Sequence, residues 1–181
     1  MKMPKPIKVK IYYDDNLEKI TGKKFEEAAV SENMEFRMML HYIFSSYPKI
    51  PEKFIPTTLG FSLNGKLPQN DTILSDGDEL QLVGYTIEKV REGIKEKIEK
   101  IILQYRIDLD FDAIERMIYE EKNKNDFNNL NDAFAEKISD INKLNEVLRI
   151  VNAAWNCYPH KCLENLSPME KLAQSQRMDK N

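Results

Sequence analysis

Residues able to bind a metal lie close together near the carboxyl-terminal end of the chain. Cys157, His160 and Cys162 form a C-x-x-H-x-C cluster, and thiolate and imidazole groups suit zinc. A structural zinc site takes four ligands, and a fourth would have to be His41, the other histidine, or a carboxylate such as Glu164. Because the ligand count falls short, the sequence predicts no metal and no cofactor, and the three clustered residues are the candidates should a metal bind.

A cysteine beside a histidine could also act as a nucleophile with its general base. Neither cysteine has an orienting third group or an oxyanion-stabilising feature that the sequence reveals. The chain contains no Walker loop and no G-x-G-x-x-G motif, and no pair of catalytic carboxylates stands out among its dispersed Asp and Glu residues. The sequence therefore predicts that the protein is not an enzyme.

The cluster lies within a distinctive segment, residues 154–170. This segment resembles a W-N-x-[WYF]-P-H-x-x-L-x-x-x-S-P-x-E pattern near the carboxyl termini of various uncharacterised bacterial and archaeal proteins. It also resembles the N-x-x-R-P-H-x-x-L-x-x-x-T-P closing segment of retroviral-type integrases and transposases, except that the Arg of that pattern is Tyr158 here. The positions that match the shared pattern are Asn156, Pro159, His160, Leu163, Ser167, Pro168 and Glu170.

The segment has two interpretations. As a structural corner, Pro159 ends one helix, His160 hydrogen-bonds the turn, Leu163 enters the core and Ser167 caps the next helix. As a binding segment, it would present residues to a partner. The structural interpretation is favoured because short motifs often encode turns. The candidate binding residues are Trp155, Asn156, Tyr158, Pro159 and His160.

Composition restricts the partners and the compartment. The 27 basic and 30 acidic side chains give a net charge of −3. The sequence has no basic stripe, which argues against strong non-specific binding to nucleic acid. No apolar run approaches the length of a membrane span, and the amino terminus lacks the apolar region of a signal peptide. Two cysteines do not make a disulfide framework. These features predict a cytoplasmic protein that does not bind a membrane.

Alternation of apolar and polar residues predicts four strands in the first half of the chain. The residues expected on the inward face of the first strand are Ile7, Val9, Ile11 and Tyr13. Residues 14–16, Asp-Asp-Asn, supply turn chemistry, and the second strand is expected at a sheet edge because it carries two Glu residues. The predicted strands are residues 7–13, 23–30, 59–63 and a last strand that contains Leu80 and Leu82.

One helix is predicted between the second and third strands. Ser31 and Asn33 are its candidate caps, and Pro48 ends it. Of the neighbouring methionines, Met39 is expected in the core, with Met34 and Met38 partly exposed. The apolar face of this helix consists of Phe36, Met39, Leu40, Ile43, Phe44 and Tyr47.

The order strand, strand, helix, strand, strand predicts a ubiquitin-like β-grasp domain over residues 1–84. A strand that ends in Asn64-Gly65 is followed, at residues 72–80, by the pattern T-x-L-x-D-G-D-E-L. This is similar to the closing pattern of the sulfur carriers of the MoaD and ThiS families. The resemblance covers somewhat under half of the chain and supports fold more than activity, because the motif mostly encodes a turn.

The same resemblance identifies what is missing. Those carriers end in a flexible Gly-Gly whose terminal carboxylate is adenylated and then thiolated. Here the corresponding residues are Val83, Gly84, Tyr85 and Thr86, so one glycine is followed by an aromatic residue and more chain. Sulfur carriage would require proteolytic release after Gly84.

The second half of the chain changes to a helical period. Apolar residues recur at three and four residues from Ile87 onward, Asp110 is a candidate cap, and residues 167–170, Ser-Pro-Met-Glu, form a capping box. Residues 122–129 are expected to be a loop or a frayed join, and a further helix is indicated by Phe127, Leu130, Phe134 and Ile138. Ile141 is expected on the apolar stripe of the helix after that. The prediction is a small all-α helical bundle over residues 86–178.

The predicted fold class is therefore α+β, a β-grasp domain followed by a helical bundle. The function favoured by the sequence is a non-catalytic interaction or adaptor module that binds another protein, whose identity and pathway the sequence does not give. One alternative is an accessory protein associated with a mobile element or nucleic acid. The second alternative is a sulfur carrier or modifier released by cleavage after Gly84.

Overall fold

A computed structural model describes residues 5–178 and contains two compact units, which meet in the sequence between Thr86 and Ile87. Each unit has its own hydrophobic core. Within residues 5–178, no helix is both long enough and apolar enough to cross a membrane.

Within residues 5–86, the amino-terminal unit is a four-stranded mixed sheet with three α-helices and one short 3-10 helix. The sheet order is β2-β1-β4-β3, with β1 parallel to β4 and antiparallel to β2, and with β3 antiparallel to β4. This is the ubiquitin-like β-grasp arrangement, as the sequence predicts. The elements are β1 (Pro6–Tyr13), α1 (Asp15–Thr21), β2 (Phe25–Ser31), α2 (Phe36–Ser46), α3 (Lys49–Lys53), β3 (Leu59–Leu63) and β4 (Glu79–Gly84).

One face of the sheet packs on α2 to form the core of this unit. Period-two alternation in β1 places Val9 and Ile11 on the buried face, and Leu80 and Leu82 of β4 are equally buried. Helix α2 contributes an apolar stripe at helical spacing. The buried residues of that stripe are Phe36, Met39 and Ile43.

The residues expected to form a turn after β1 instead begin a helix. Asp14 is the N-cap of α1, and its carboxylate accepts a hydrogen bond from the Leu17 N–H at 3.0 Å. Asp and Asn favour both turns and helix caps, and the burial of Leu17 against the core selects the helix. Gly22 ends α1 in the left-handed conformation at φ 71°.

The cap predicted for α2 is also different. Ser31 ends β2, and Asn33 lies in a turn with a positive φ of 68°. The N-cap residue is Glu35, whose side chain makes no capping hydrogen bond. The backbone N–H groups of Phe36 and Arg37 instead donate to the carbonyls of Thr72 and Asn70, contacts distant in sequence that no local signal predicts.

Glu26 is the centre of a polar cluster at the edge of this unit. Its carboxylate accepts hydrogen bonds from Tyr13 Oη at 2.6 Å, from Lys23 Nζ at 2.8 Å and from Tyr47 Oη at 2.9 Å. Burial alone would raise the pKa of Glu26, but the bonds from Lys23, Tyr13 and Tyr47 outweigh it and hold that pKa below its usual range. Burial and the contact with Glu26 raise the pKa of Tyr13.

A Glu26→Gln substitution should therefore reduce the pH dependence of stability. A carboxyl group whose pKa is depressed by folding contributes stability above its unfolded pKa and loses it as the pH falls through the folded pKa. The free energy of unfolding should fall for the wild type between about pH 5 and about pH 3, and this fall should be smaller in the variant. Urea unfolding at several pH values measures it.

Glu27→Gln is the matched control because it removes the same charge from the exposed side of the same strand, where Glu27 pairs with Lys8. Equal pH slopes for the wild type and Glu26→Gln would contradict the assignment of this contribution to Glu26.

In the part of the carboxyl-terminal unit that the structure describes, residues 87–178, five α-helices and one short 3-10 helix accompany a second core. Fully buried residues of this core are contributed by at least four of the helices, Ile98, Ile114, Phe134 and Val151 among them. The helices are α4 (Ile87–Tyr105), α5 (Phe111–Tyr119), α6 (Lys124–Ala135), α7 (Ile141–Cys157) and α8 (Pro168–Met178).

Two expectations for this unit are wrong and one cap is confirmed. The stretch expected to be a loop or a frayed join is helical from Lys124 onward, because Asn123 and Asp126 form a reciprocal capping box that starts α6. The helix predicted from Phe127, Leu130 and Phe134 is present as α6 and begins earlier than expected. Ile141 is 63% exposed rather than part of the apolar stripe, because it is the first residue of α7. Asp110 caps α5, accepting a hydrogen bond from the Ala113 N–H at 2.7 Å.

Candidate functional site

The first candidate site is the end of β4, where the sulfur carriers resembled by this unit carry their reactive tail. Gly84 is buried there, and its N–H donates to the Asp14 carboxylate at 3.2 Å. Its carbonyl accepts a hydrogen bond from Asn16 Nδ2 at 2.8 Å. Asp14 and Asn16 belong to the amino-terminal turn of α1, so the polar groups of Gly84 are engaged by side chains of the fold.

Gly84 is required here by close packing. A Cβ atom at this position would lie 2.6 and 2.7 Å from two carbons of the Phe54 ring, which is itself buried. Gly84 pairs across the sheet with Leu59 of β3. The glycine therefore fills a tight place in the sheet and does not serve as a flexible link.

The chain after Gly84 remains held by the sheet. The Tyr85 N–H donates to the Thr58 carbonyl at 2.7 Å, and the Tyr85 ring lies over Gly60, where a Cβ would be 2.9 Å from Cε2. Two glycines thus admit two aromatic rings, Phe54 at Gly84 and Tyr85 at Gly60. The segment that would be a free tail in a carrier is packed backbone.

Gly84→Ala should lower the free energy of unfolding by about 1–3 kcal/mol, because the new methyl group overlaps the Phe54 ring. Gly93→Ala is the matched control, since nothing lies within 4 Å of a Cβ at this position in α4. That change should raise stability by about 0.5–1 kcal/mol through helix propensity. Urea unfolding of the full chain, followed by circular dichroism, measures both, and an unchanged or increased stability of Gly84→Ala would refute the packing argument.

The second candidate site is the corner between α7 and α8. Helix α7 ends at Cys157, and the extended residue Tyr158 follows as its C-cap. His160 and Leu166 pair as an isolated antiparallel bridge, and the His160 N–H donates to the Leu166 carbonyl at 3.0 Å. The next helix is capped reciprocally, because Ser167 Oγ accepts from the Glu170 N–H while the Ser167 N–H donates to the Glu170 carboxylate.

His160 is completely buried at this corner. Its Nε2 lies 2.8 Å from the Trp155 carbonyl oxygen, and its Nδ1 lies 2.5 Å from Glu121 Oε2. The Trp155 ring packs edge-on against the imidazole, with 5.2 Å between the ring centroids. Each nitrogen of this ring therefore has a defined oxygen partner.

Most of the other residues predicted to bind a partner contact residues of the same unit instead. Tyr158 is buried, its Oη donates to the Arg91 carbonyl at 2.8 Å, and its ring contacts Phe111. The Asn156 side chain donates to the Asn152 carbonyl at 2.8 Å, within the same helix. Trp155 and Pro159 are partly exposed. Leu163, expected in the core, is also only partly buried.

Arg91 of α4 joins both sides of the corner. Its Nε donates to the Cys157 carbonyl at 2.8 Å, and its Nη2 donates to the Glu170 carboxylate at 2.7 Å. In the sequence Arg91 is one of many charged residues on a long helix. No local signal distinguishes it, and the same holds for Glu121, so both roles are visible only in the folded unit.

The residues proposed from the sequence as metal ligands do not all come together. Cys157 faces the core and is 1% exposed, whereas Cys162 is exposed. The group formed in the structure is Glu121, His160 and Cys162, whose potential ligand atoms all lie within 4.8 Å of one another. Glu121 thus replaces Cys157 in the predicted cluster.

A third candidate site is a groove between β2 and α2. Among residues 5–178, β2 pairs only with β1, so its outer edge carries unpaired backbone groups. Beside this edge is a groove of about 340 Å³. Tyr42 of α2, 48% exposed, forms one wall. The residues that line the groove are Pro6, Ala29, Val30, Ser31, Met34 and Tyr42.

Comparison with known proteins finds likeness only in solved structures. No family model matches the chain, and no curated protein matches it in sequence. A protein described as molybdopterin converting factor, subunit 1, from Pyrococcus furiosus is 22% identical, with 44% of this chain and 99% of that chain covered and a TM-score of 0.41. The small archaeal modifier protein 1 of H. volcanii is 14% identical, with 44% and 99% covered and a TM-score of 0.40.

A ubiquitin from Caldiarchaeum subterraneum is 18% identical, with 45% of this chain and 96% of that chain covered and a TM-score of 0.33. The likeness to the converting factor and modifier proteins lies in the amino-terminal part of the chain. Because the identities are low, the fold assignment depends on the strand order and register described above.

Proposed function

We propose that this protein is a non-catalytic interaction module whose β-grasp unit binds another protein and does not carry sulfur. The observation that carries the proposal is the packing of Gly84. Sulfur-carrier chemistry needs a free terminal carboxylate on a flexible tail. Gly84 is instead hydrogen-bonded to the side chains of Asp14 and Asn16 and lies against the Phe54 ring. Because the packing of Gly84 disfavours sulfur carriage, we assign the unit an adaptor role instead.

The groove between β2 and α2 is the proposed contact surface. An extended segment of a partner could pair with the outer edge of β2, which supplies main-chain hydrogen bonds, and place an apolar side chain in the adjacent groove. Tyr42 and Met34 suit such a contact, because an aromatic ring gives a rigid anchor and a methionine adapts to the shape of its partner. The edge position of β2 and the exposure of Tyr42 support this choice.

The nucleic-acid alternative receives less support from the corner segment. The position occupied by Arg in the transposase pattern is Tyr158, which is 5% exposed and packs on Phe111. A side chain in the core cannot contact a phosphate. The charge balance of the chain is also close to neutral for its size, with a net charge of −3.

Tyr42→Glu should strongly weaken capture of the partner. The full-length wild type, immobilised and incubated with extract of its native cells, should enrich a protein partner that quantitative mass spectrometry identifies. A charge in the groove opposes an apolar contact, so enrichment by Tyr42→Glu should fall about tenfold or more. Leu103→Glu is the matched control, because Leu103 is an apolar residue of α4 that is 80% exposed.

Enrichment that is equal for the wild type and both variants would place the contact elsewhere. A wild type that enriches no protein would contradict the interaction function itself.

The sulfur-carrier alternative predicts a cleaved product, and the proposed function predicts none. Mass spectrometry of the protein recovered from native cells should show no fragment that ends at Gly84, because release there would require cutting backbone that is hydrogen-bonded on both sides of the bond. A fragment ending in a Gly84 carboxylate or thiocarboxylate would overturn the proposal in favour of sulfur carriage.

A further inference from the structure

We propose that Glu121, His160 and Cys162 form a binding site for a single zinc-like divalent cation. The site belongs to the helical unit and is independent of the groove proposed above. Its three potential ligand atoms, a carboxylate oxygen, an imidazole nitrogen and a thiol sulfur, lie within 4.8 Å of one another.

The imidazole of His160 has the hydrogen-bonding arrangement that is common for metal-binding histidines. A carbonyl oxygen can only accept, so the contact of 2.8 Å between His160 Nε2 and the Trp155 oxygen places a hydrogen on Nε2. A histidine ligand commonly donates its second N–H to a backbone carbonyl in this way, which fixes the tautomer and the ring orientation. The edge-on Trp155 ring and the full burial of His160 further fix the plane of the imidazole.

The remaining nitrogen then faces an anion. With its hydrogen on Nε2, the neutral ring presents a lone pair at Nδ1, and Glu121 Oε2 lies 2.5 Å away. Two lone pairs at that separation repel unless a positive centre lies between them. Either a proton or a metal cation meets this requirement, and a cation would also engage the sulfur of Cys162 close by.

The donor set favours zinc among common divalent ions. Nitrogen, sulfur and oxygen ligands together are typical of zinc, whereas calcium and magnesium take oxygen ligands. Bonds of about 2.0–2.3 Å in a tetrahedron put ligand atoms about 3.3–3.7 Å apart, so the carboxylate must move about 1 Å away from Nδ1. Glu121 follows the end of α5 and is partly exposed, and Cys162 is exposed in the short 3-10 helix Lys161–Leu163. Both ligands therefore have room to adjust around the fixed imidazole.

Three protein ligands leave a fourth position for water. Cys157, the other cysteine of the sequence motif, does not contribute, because it is buried in the core and its carbonyl is bonded to Arg91. This difference between the two cysteines gives the proposal a sharp test.

Cobalt(II) is a spectroscopic probe for such a site. The full-length protein, first treated with a chelator and dialysed under reducing conditions, should bind one equivalent of cobalt(II), with thiolate-to-metal charge-transfer absorption and the intense visible bands of a four-coordinate ion. One equivalent of zinc should displace it. Cys162→Ser should remove the charge-transfer absorption and weaken zinc binding by about tenfold or more.

Cys157→Ala is the matched control and should keep the spectrum of the wild type. Glu121→Gln should retain the thiolate band with altered visible bands, because the sulfur and nitrogen ligands remain. Circular dichroism of each variant verifies that it is folded, and the exposed position of Cys162 makes that variant the decisive one. No cobalt uptake by the wild type, or a thiolate band that survives Cys162→Ser, would overturn the proposal.

Discussion

The amino-terminal unit depends on the close approach of backbone to aromatic rings at the end of β4. This strand lies between β1 and β3, so its register aligns both halves of the sheet. Gly84 permits the Phe54 ring to lie against the strand, and Gly60 permits the same for Tyr85. Side chains of α1 engage both backbone groups of Gly84. The first helix, the sheet and the segment that leaves it are thereby joined at one residue.

That arrangement changes the meaning of the resemblance to sulfur carriers. The closing pattern at residues 72–80 encodes the turn into β4, and the structure places it there. A sulfur carrier needs a flexible tail after this strand. In this chain Gly84 and Tyr85 are held there by hydrogen bonds and ring contacts. This stretch therefore forms the turn and strand of a β-grasp fold, and its end is packed rather than flexible. The function proposed above therefore uses the surfaces of the unit, in particular the groove beside β2.

Much of the fold could be predicted from the sequence, because the relevant signals are local. Alternation in β1, the Asn64-Gly65 turn and the capping box before α8 each depend on neighbouring residues. Helix α1 and the start of α6 are not predicted, because Asp and Asn favour turns and helix caps alike, and only contacts such as the burial of Leu17 decide between them.

The candidate sites were less accessible to sequence reasoning. The sequence singles out His160 and Cys162, but Glu121 lies about forty residues away and enters only when α5 meets the corner. Arg91 reaches the same corner from α4, across 66 residues of sequence to Cys157. Long-range contacts also separate the two cysteines, since packing buries Cys157 and leaves Cys162 exposed. Spacing alone could not assign them different roles.

The measurement that tests the central claim most directly is amide hydrogen exchange at Gly84 and Tyr85. The Gly84 N–H donates to the Asp14 carboxylate, and the Tyr85 N–H donates to the Thr58 carbonyl. Both amides should therefore exchange as slowly as the other bonded amides of β4. Exchange at the rate of an unstructured chain, while the rest of β4 stays protected, would mean that a mobile tail begins at Gly84 and would contradict the account.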